Sequence, residues 1–160
     1  MKREVAMAKQ LEITKQDAVD LYDSDFFEWT QRSAELIRQG RFSEADLEHI
    51  AEEIEDMGKR DRREVRSRLT VLIAHRLKWN YQPEQRSPSW RATIMEQRRQ
   101  IVLVLDDSPS LRRAAVEELA SIYAKAVKEA REDTGLAPNA FPKTCPYSLT
   151  DLLESRIVPE

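Results

Sequence analysis

His49, Glu52, Glu53 and Asp56 fall at i, i+3, i+4 and i+7. That spacing brings side chains to one side of a helix, where an imidazole and three carboxylates could ligate a divalent metal. Carboxylate-bridged helical metal centres, however, take a Glu three residues before a His on each of two helices. Here Asp46 stands three before His49, and Leu72 three before His75. A solvated acidic face is the simpler reading, so neither a metal nor another cofactor is expected. Cys145 and His75 have the residue types of a nucleophile and its base, but Cys145 sits in a loop before Pro146 with no local signature that would activate a thiol. Ser108 and Ser110 lie in no Gly-x-Ser-x-Gly elbow, and no phosphate-binding glycine loop is present. Ser108 before Pro109 reads as a helix cap, and no catalytic residue is assigned.

The stretch around the chain's central breaker holds more chemistry than a turn requires. His75, Lys78, Trp79, Gln82, Arg86 and Trp90 flank Pro83 and the Ser87-Pro88 pair. A breaker and a cap suffice to join two helices. The surplus makes these six residues the candidate binding surface, with His75, Lys78 and Arg86 suited to an anionic group. Structural service competes for the same side chains: indoles seal cores, and cations bond the carbonyls that end a helix.

Charge switches sharply just upstream. Glu44, Asp46, Glu48, Glu52, Glu53, Glu55 and Asp56 run without Lys or Arg, and Lys59, Arg60, Arg62, Arg63, Arg66 and Arg68 follow, with only Asp61 and Glu64 against them. Local i, i+4 pairs, Glu55 with Lys59 and Asp56 with Arg60, account for the switch point. The excess on either side suggests self-association. Two antiparallel copies would lay Glu48, Glu52, Glu55 and Asp56 of one beside Lys59, Arg62, Arg63 and Arg66 of the other, forming a homodimer weakened by salt. The arginine run with Trp79, Tyr81 and Trp90 has the types for nucleic-acid stacking, but the acidic neighbour and a net charge of −3 argue against it. A protein partner is the better expectation.

The elements that must position these residues are helical. Apolar residues at Leu47, Ile50, Ile54, Met57, Val65, Leu69, Leu72 and Leu77 form one face of a long central helix. A kinked, continuous helix is expected; unbroken to Trp79 it would measure roughly 50 Å, which leaves a bend or break at Gly58 as the alternative. Upstream, Asp25 with Glu28 forms a capping box for a helix whose stripe is Phe26, Trp29, Leu36 and Ile37, ending at Gly40. Ser43 with Asp46 opens the long helix. Ser87-Pro88 opens the next, with Trp90, Ile94, Ile101, Val102 and Leu105 inward, and Ser108-Pro109 another, with Leu111, Ala115, Leu119, Ile122 and Ala126 inward to Gly135. Ser148 with Asp151 caps a short last helix. No stretch alternates with period two. The expected fold is all-α: a flexible arm over residues 1–20, with Thr14 and Asp17 capping a short turn, then a single antiparallel bundle of four to five helices over 21–160.

A chain of 160 residues can bury a real core. One cysteine, no metal-type cysteine pair, and a charged start with no apolar run after it point to a cytoplasmic protein without signal peptide or membrane span.

Asp25-Phe26 with Trp29, Glu52-Glu53-Ile54-Glu55 with Gly58, His75 with Leu77-Lys78-Trp79, Gln82-Pro83 with Arg86, Ser89-Trp90, Gln97-Arg98, Ser108-Pro109-Ser110-Leu111, Thr134-Gly135-Leu136, Phe141-Pro142 and Cys145-Pro146 together resemble the bacterial domain-of-unknown-function family number twenty-nine, from about residue 22 onward. The resemblance implies a small helical bacterial protein and carries over no activity, cofactor or site residue. The functional expectation is a non-enzymatic protein-interaction or regulatory module. The alternatives are a small enzyme or metal-binding protein near His75, or nucleic-acid binding through residues 59–68.

Overall fold

The computed structural model describes residues 14–154; the rest of the expected N-terminal arm, residues 1–13, lies outside them. Among the described residues the fold is all-α, with helices α1 (Lys15–Ser24), α2 (Phe26–Arg38), α3 (Leu47–Tyr81), α4 (Pro88–Asp107), α5 (Leu111–Thr134) and α6 (Leu149–Leu153) and no strand. The chain divides into two compact units, Met1–Gly58 and Lys59–Glu160.

In the first unit Thr14 and Asp17 close a reciprocal capping box: Thr14 Oγ1 accepts from Asp17 N at 3.3 Å, and Thr14 N donates to Asp17 Oδ2 at 2.8 Å. The turn they start runs on to Ser24, which adds α1 to the expected helices. Asp25 then serves two helices. Its N–H donates to Leu21 O at 2.8 Å and closes α1, while Oδ1 accepts from Glu28 N at 3.1 Å and opens α2. Because that N–H is spent, the box expected with Glu28 forms only in its forward half. Gly40, at φ 70°, terminates α2 in a Schellman arrangement in which Arg41 N bonds Leu36 O at 2.9 Å. Trp29, Ser33 and Leu36 face inward, whereas Phe26 and Ile37 of the expected stripe are exposed. The residue opening α3 is Asp46, whose carboxylate reaches His49 N at 3.5 Å, so the helix begins three residues after the expected Ser43.

The α3 helix passes Gly58 without interruption. The glycine adopts no positive φ, so it does not act as the C-cap that would have stopped the helix.

The second unit carries one apolar cluster. Val65, Leu69, Leu72, Ile73 and Leu77 of α3 meet Ile94, Ile101 and Leu105 of α4, Ala115, Ile122 and Ala126 of α5, and Leu149 and Leu152 of α6. Trp90, Leu111 and Leu119 pack at its margin, half-buried. Ser87 caps α4 through Trp90 N at 3.3 Å, and Ser148 and Asp151 form the expected box at 2.9 and 3.0 Å. Ser108 behaves otherwise than expected. Its N–H bonds Val104 O at 2.9 Å and ends α4, and α5 starts after Ser110 with no side-chain cap.

Candidate functional site

The hairpin between α3 and α4 takes up most of its chemistry internally. Lys78 is 5% exposed, yet its Nζ lies 2.6 Å from Asp133 Oδ2 on α5 and 5.2 Å from the centre of the Trp90 ring. Carboxylate and indole face thus stabilise the buried ammonium together. Arg86 donates from Nε to the Trp79 carbonyl at 2.9 Å, satisfying an orphan acceptor at the end of α3, and its guanidinium lies 5.2 Å above the Trp79 ring. Trp79 is buried, and its indole N–H finds no acceptor among the described residues. Gln82 closes α3 through its backbone N–H to Lys78 O at 2.9 Å, and its side chain makes no cap.

His75 is half-buried, with Nδ1 2.9 Å from Val71 O. A carbonyl only accepts, so Nδ1 carries the proton and Nε2 is the open position of the neutral ring. Burial, seconded by the Lys78 charge, holds the His75 pKa below its ordinary value. The structure therefore joins Lys78 to Trp90 and Arg86 to Trp79. Each pairing uses the groups that an external anion would need.

Two arginines that the sequence analysis assigned no site role are buried in the same unit. Arg76 is 3% exposed with its guanidinium carbon 5.0 Å from the Tyr147 ring centre, and Arg98 is 6% exposed. Both carry buried N–H groups without a partner among the described residues. Cys145 Sγ lies 3.3 Å from Tyr147 O, and burial pushes its thiol pKa up, away from the thiolate a nucleophile needs.

In the first unit the acidic stretch is built differently from a metal site. Asp46, 2% exposed, places Oδ2 2.5 Å from His49 Nδ1. Tyr22 stacks on the His49 ring at 4.0 Å and 14°, and donates its hydroxyl to Glu53 Oε1 at 2.8 Å. The Asp46 hydrogen bond raises the His49 pKa, and the bond to Glu53 raises that of Tyr22. An imidazole oriented by a buried carboxylate is half of a general-base device. His49 is also the third residue of α3, however, so its bond to Asp46 serves the start of the helix. Among the described residues no three of His, Cys, Asp and Glu are placed to hold a metal ion.

The same helix presents an apolar face to solvent. Leu47, Ile54 and Met57 are 47%, 65% and 60% exposed and Ile50 is half-buried, on steps of three, four and three. Glu48, Glu52 and Glu55 are exposed alongside them. The basic run further along α3 is largely engaged inside the second unit. Arg62 donates Nε to Glu118 Oε1 at 2.7 Å and also bonds it through Nη2, Arg66 lies 3.7 Å from Glu118 Oε2, and Arg68 bonds Glu64 at 2.8 Å. Arg63 is exposed, and Asp56 and Lys59 have partners of their own.

A family model described as a domain of unknown function, DUF29, matches residues 21–158. No curated protein and no solved structure matches the chain. Among the described residues no helix is long and apolar enough to cross a membrane.

Proposed function

We propose that this chain, which belongs to the DUF29 family of unknown function, is a non-enzymatic cytoplasmic interaction module that docks a basic amphipathic helix on the first half of α3. The observation that carries this is the exposed stripe Leu47, Ile50, Ile54 and Met57. Its spacing is that of a coiled-coil seam, and a helix laid in such a seam is a recurring recognition mode. Large apolar side chains left in water at regular helical spacing mark an interaction surface more often than chance exposure. The exposed acidic residues Glu48 and Glu52 beside the stripe select a partner rich in Lys or Arg.

A second copy fits less well. Two such stripes set antiparallel about their midpoint bring Glu52 of one copy beside Glu52 of the other, and like charges there oppose pairing. Arg62 and Arg66, which a copy would offer to those acids, already bond Glu118. The same engagement weakens a nucleic-acid reading of the basic run. In this scheme the hairpin residues His75, Lys78, Trp79, Gln82, Arg86 and Trp90 hold the second unit together.

A photo-crosslinking residue in place of Ile54 tests the proposal, with the same residue at Val116, exposed in the second unit, as control. Position 54 is expected to capture, in cells, a segment with apolar residues at i, i+3, i+4 and i+7 and net positive charge, and Met57→Glu is expected to abolish the capture. Equal yields at both positions overturn the docking surface. A product of twice the chain's own mass, together with dimers by light scattering at low salt, replaces the basic helix with a second copy.

A further inference from the structure

We propose that the open cleft along α4 and α6 binds an amphiphile carrying one anionic head, with Arg98 as the residue that meets the head and Met95, Val102, Leu103 and Leu153 as the bed for its apolar chain. The cleft has a volume of about 370 Å³ and is lined by these residues with Arg91 and Arg99, a size at the lower end for small-molecule sites. On α4 the lining residues recur at steps of three and four, so one face of the helix forms the wall. That face is not finished by the fold, because Met95 and Leu103 remain 55% and 49% exposed.

What points to an anion is the state of Arg98. It is 6% exposed, its Nε donates to the Leu152 carbonyl at 2.8 Å, and its Nη2 is sealed from solvent without a partner. Among the described residues no carboxylate bonds it. Burial, and after it the like charge of Arg76, depress the Arg98 pKa. Arg76 has two further unpartnered N–H groups. Asp151, whose charge reaches Arg76, spends Oδ2 on Ser148 N and Oγ at 2.9 and 2.7 Å. Two buried guanidiniums thus share one region with little counter-charge. A carboxylate or phosphate supplies the acceptor geometry that a guanidinium fork fits. Arg99 is engaged by Glu96 at 3.0 and 2.9 Å, and exposed Arg91 guards the rim. The apolar lining then excludes a bare ion in favour of a head with a hydrocarbon tail.

The test uses the full chain with decanoate, decyl phosphate, decan-1-ol and inorganic phosphate, each titrated calorimetrically below any micelle-forming concentration. Saturable binding of decanoate or decyl phosphate is expected, the tighter of the two naming the head. Decan-1-ol and inorganic phosphate are each expected to bind about ten- to a hundredfold more weakly, the loss that follows from removing one charge-assisted contact or the tail. Arg98→Met is expected to lower affinity for the anionic amphiphile on the same scale. Since Arg98 also holds Leu152, exposed Met95→Asp provides a second variant that leaves that bond in place, and it is expected to weaken binding too. No saturable binding of either anionic amphiphile, decanol binding as tightly as decanoate, or unchanged affinity in Met95→Asp overturns the proposal.

Discussion

At the scale of single residues the two histidines respond to protons in opposite directions, and the signs follow from their neighbours. Asp46 raises the His49 pKa above the ordinary 6.5, so the folded state holds the proton more tightly than the unfolded chain. Its contribution is fully present below pH 6.5 and is lost as pH rises through the folded value. Burial lowers the His75 pKa below 6.5, so the folded state resists protonation and stability falls as pH drops from 6.5 towards the folded value. Urea midpoints between about pH 5 and 8 should therefore show His49→Gln losing most relative to the parent in acid, and His75→Gln gaining there. Curves parallel to the parent's would contradict both assignments. Lys78 and Asp133 are asymmetric in another way. The lysine side chain is 6% exposed and the aspartate 57%, so removing the acid strands a buried charge, whereas removing the lysine frees a solvated one. Asp133→Asn should cost about 1 to 3 kcal/mol and Lys78→Met under about 1 kcal/mol. The reverse order in denaturant melts would mean that the Trp90 face carries Lys78 unaided.

At the scale of elements, Gly58 is the sharpest test of α3. A Cβ added there meets nothing within 4 Å, and the glycine has no positive φ to protect. Gly58→Ala should then stabilise the protein by roughly 0.5 to 1 kcal/mol through helix propensity alone. A lowered urea midpoint would show that α3 needs the glycine's backbone freedom at this position. The helices themselves were readable in the sequence where their signals are local. Ser87, Ser148 and Gly135 act through bonds spanning a few residues, so position alone reveals them. Asp25, Ser43 and Ser108 were harder: Asp25 and Ser108 spend their own N–H closing the preceding helix, and Asp46 caps α3 in place of Ser43. Periodicity also marked Ile54 and Met57 as one apolar face but carried no information on whether anything covers it. The burial of Arg76 and Arg98 left no signal, since only tertiary packing decides that a guanidinium is inside. The hairpin residues were found by type, yet their pairings with Asp133 and with backbone carbonyls depend on α5 and on the end of α3.

At the scale of the whole molecule the two units differ in how much core each possesses. The second buries Leu69, Leu72, Ile73, Leu77, Ile94, Ile101, Leu105 and Leu152 at 0% exposure, while the first buries only Ala18, Trp29, Leu36 and Ala45 among its described apolar residues. Phe26, Phe27, Ile37, Phe42, Leu47, Ile54 and Met57 remain exposed in the first unit, against Tyr81, Met95, Leu103 and Val116 in the second. A unit of about 60 residues is marginal even when it hides its apolar surface well. Regions with few buried contacts open at a fraction of the global free energy. Native-state hydrogen exchange should accordingly find amides of α2 exchanging through sub-global opening, while those of Leu69 to Leu77 and Ile94 to Leu105 exchange only on global unfolding. A basic helix bound to α3 would change the first number and leave the second. Partner at a hundred times its Kd adds about 2.7 kcal/mol to the opening free energy of the unit it contacts. Added protection confined to the first unit is the expected result with the captured segment. Protection rising equally in both units, or only in the second, would remove the α3 stripe as the docking surface.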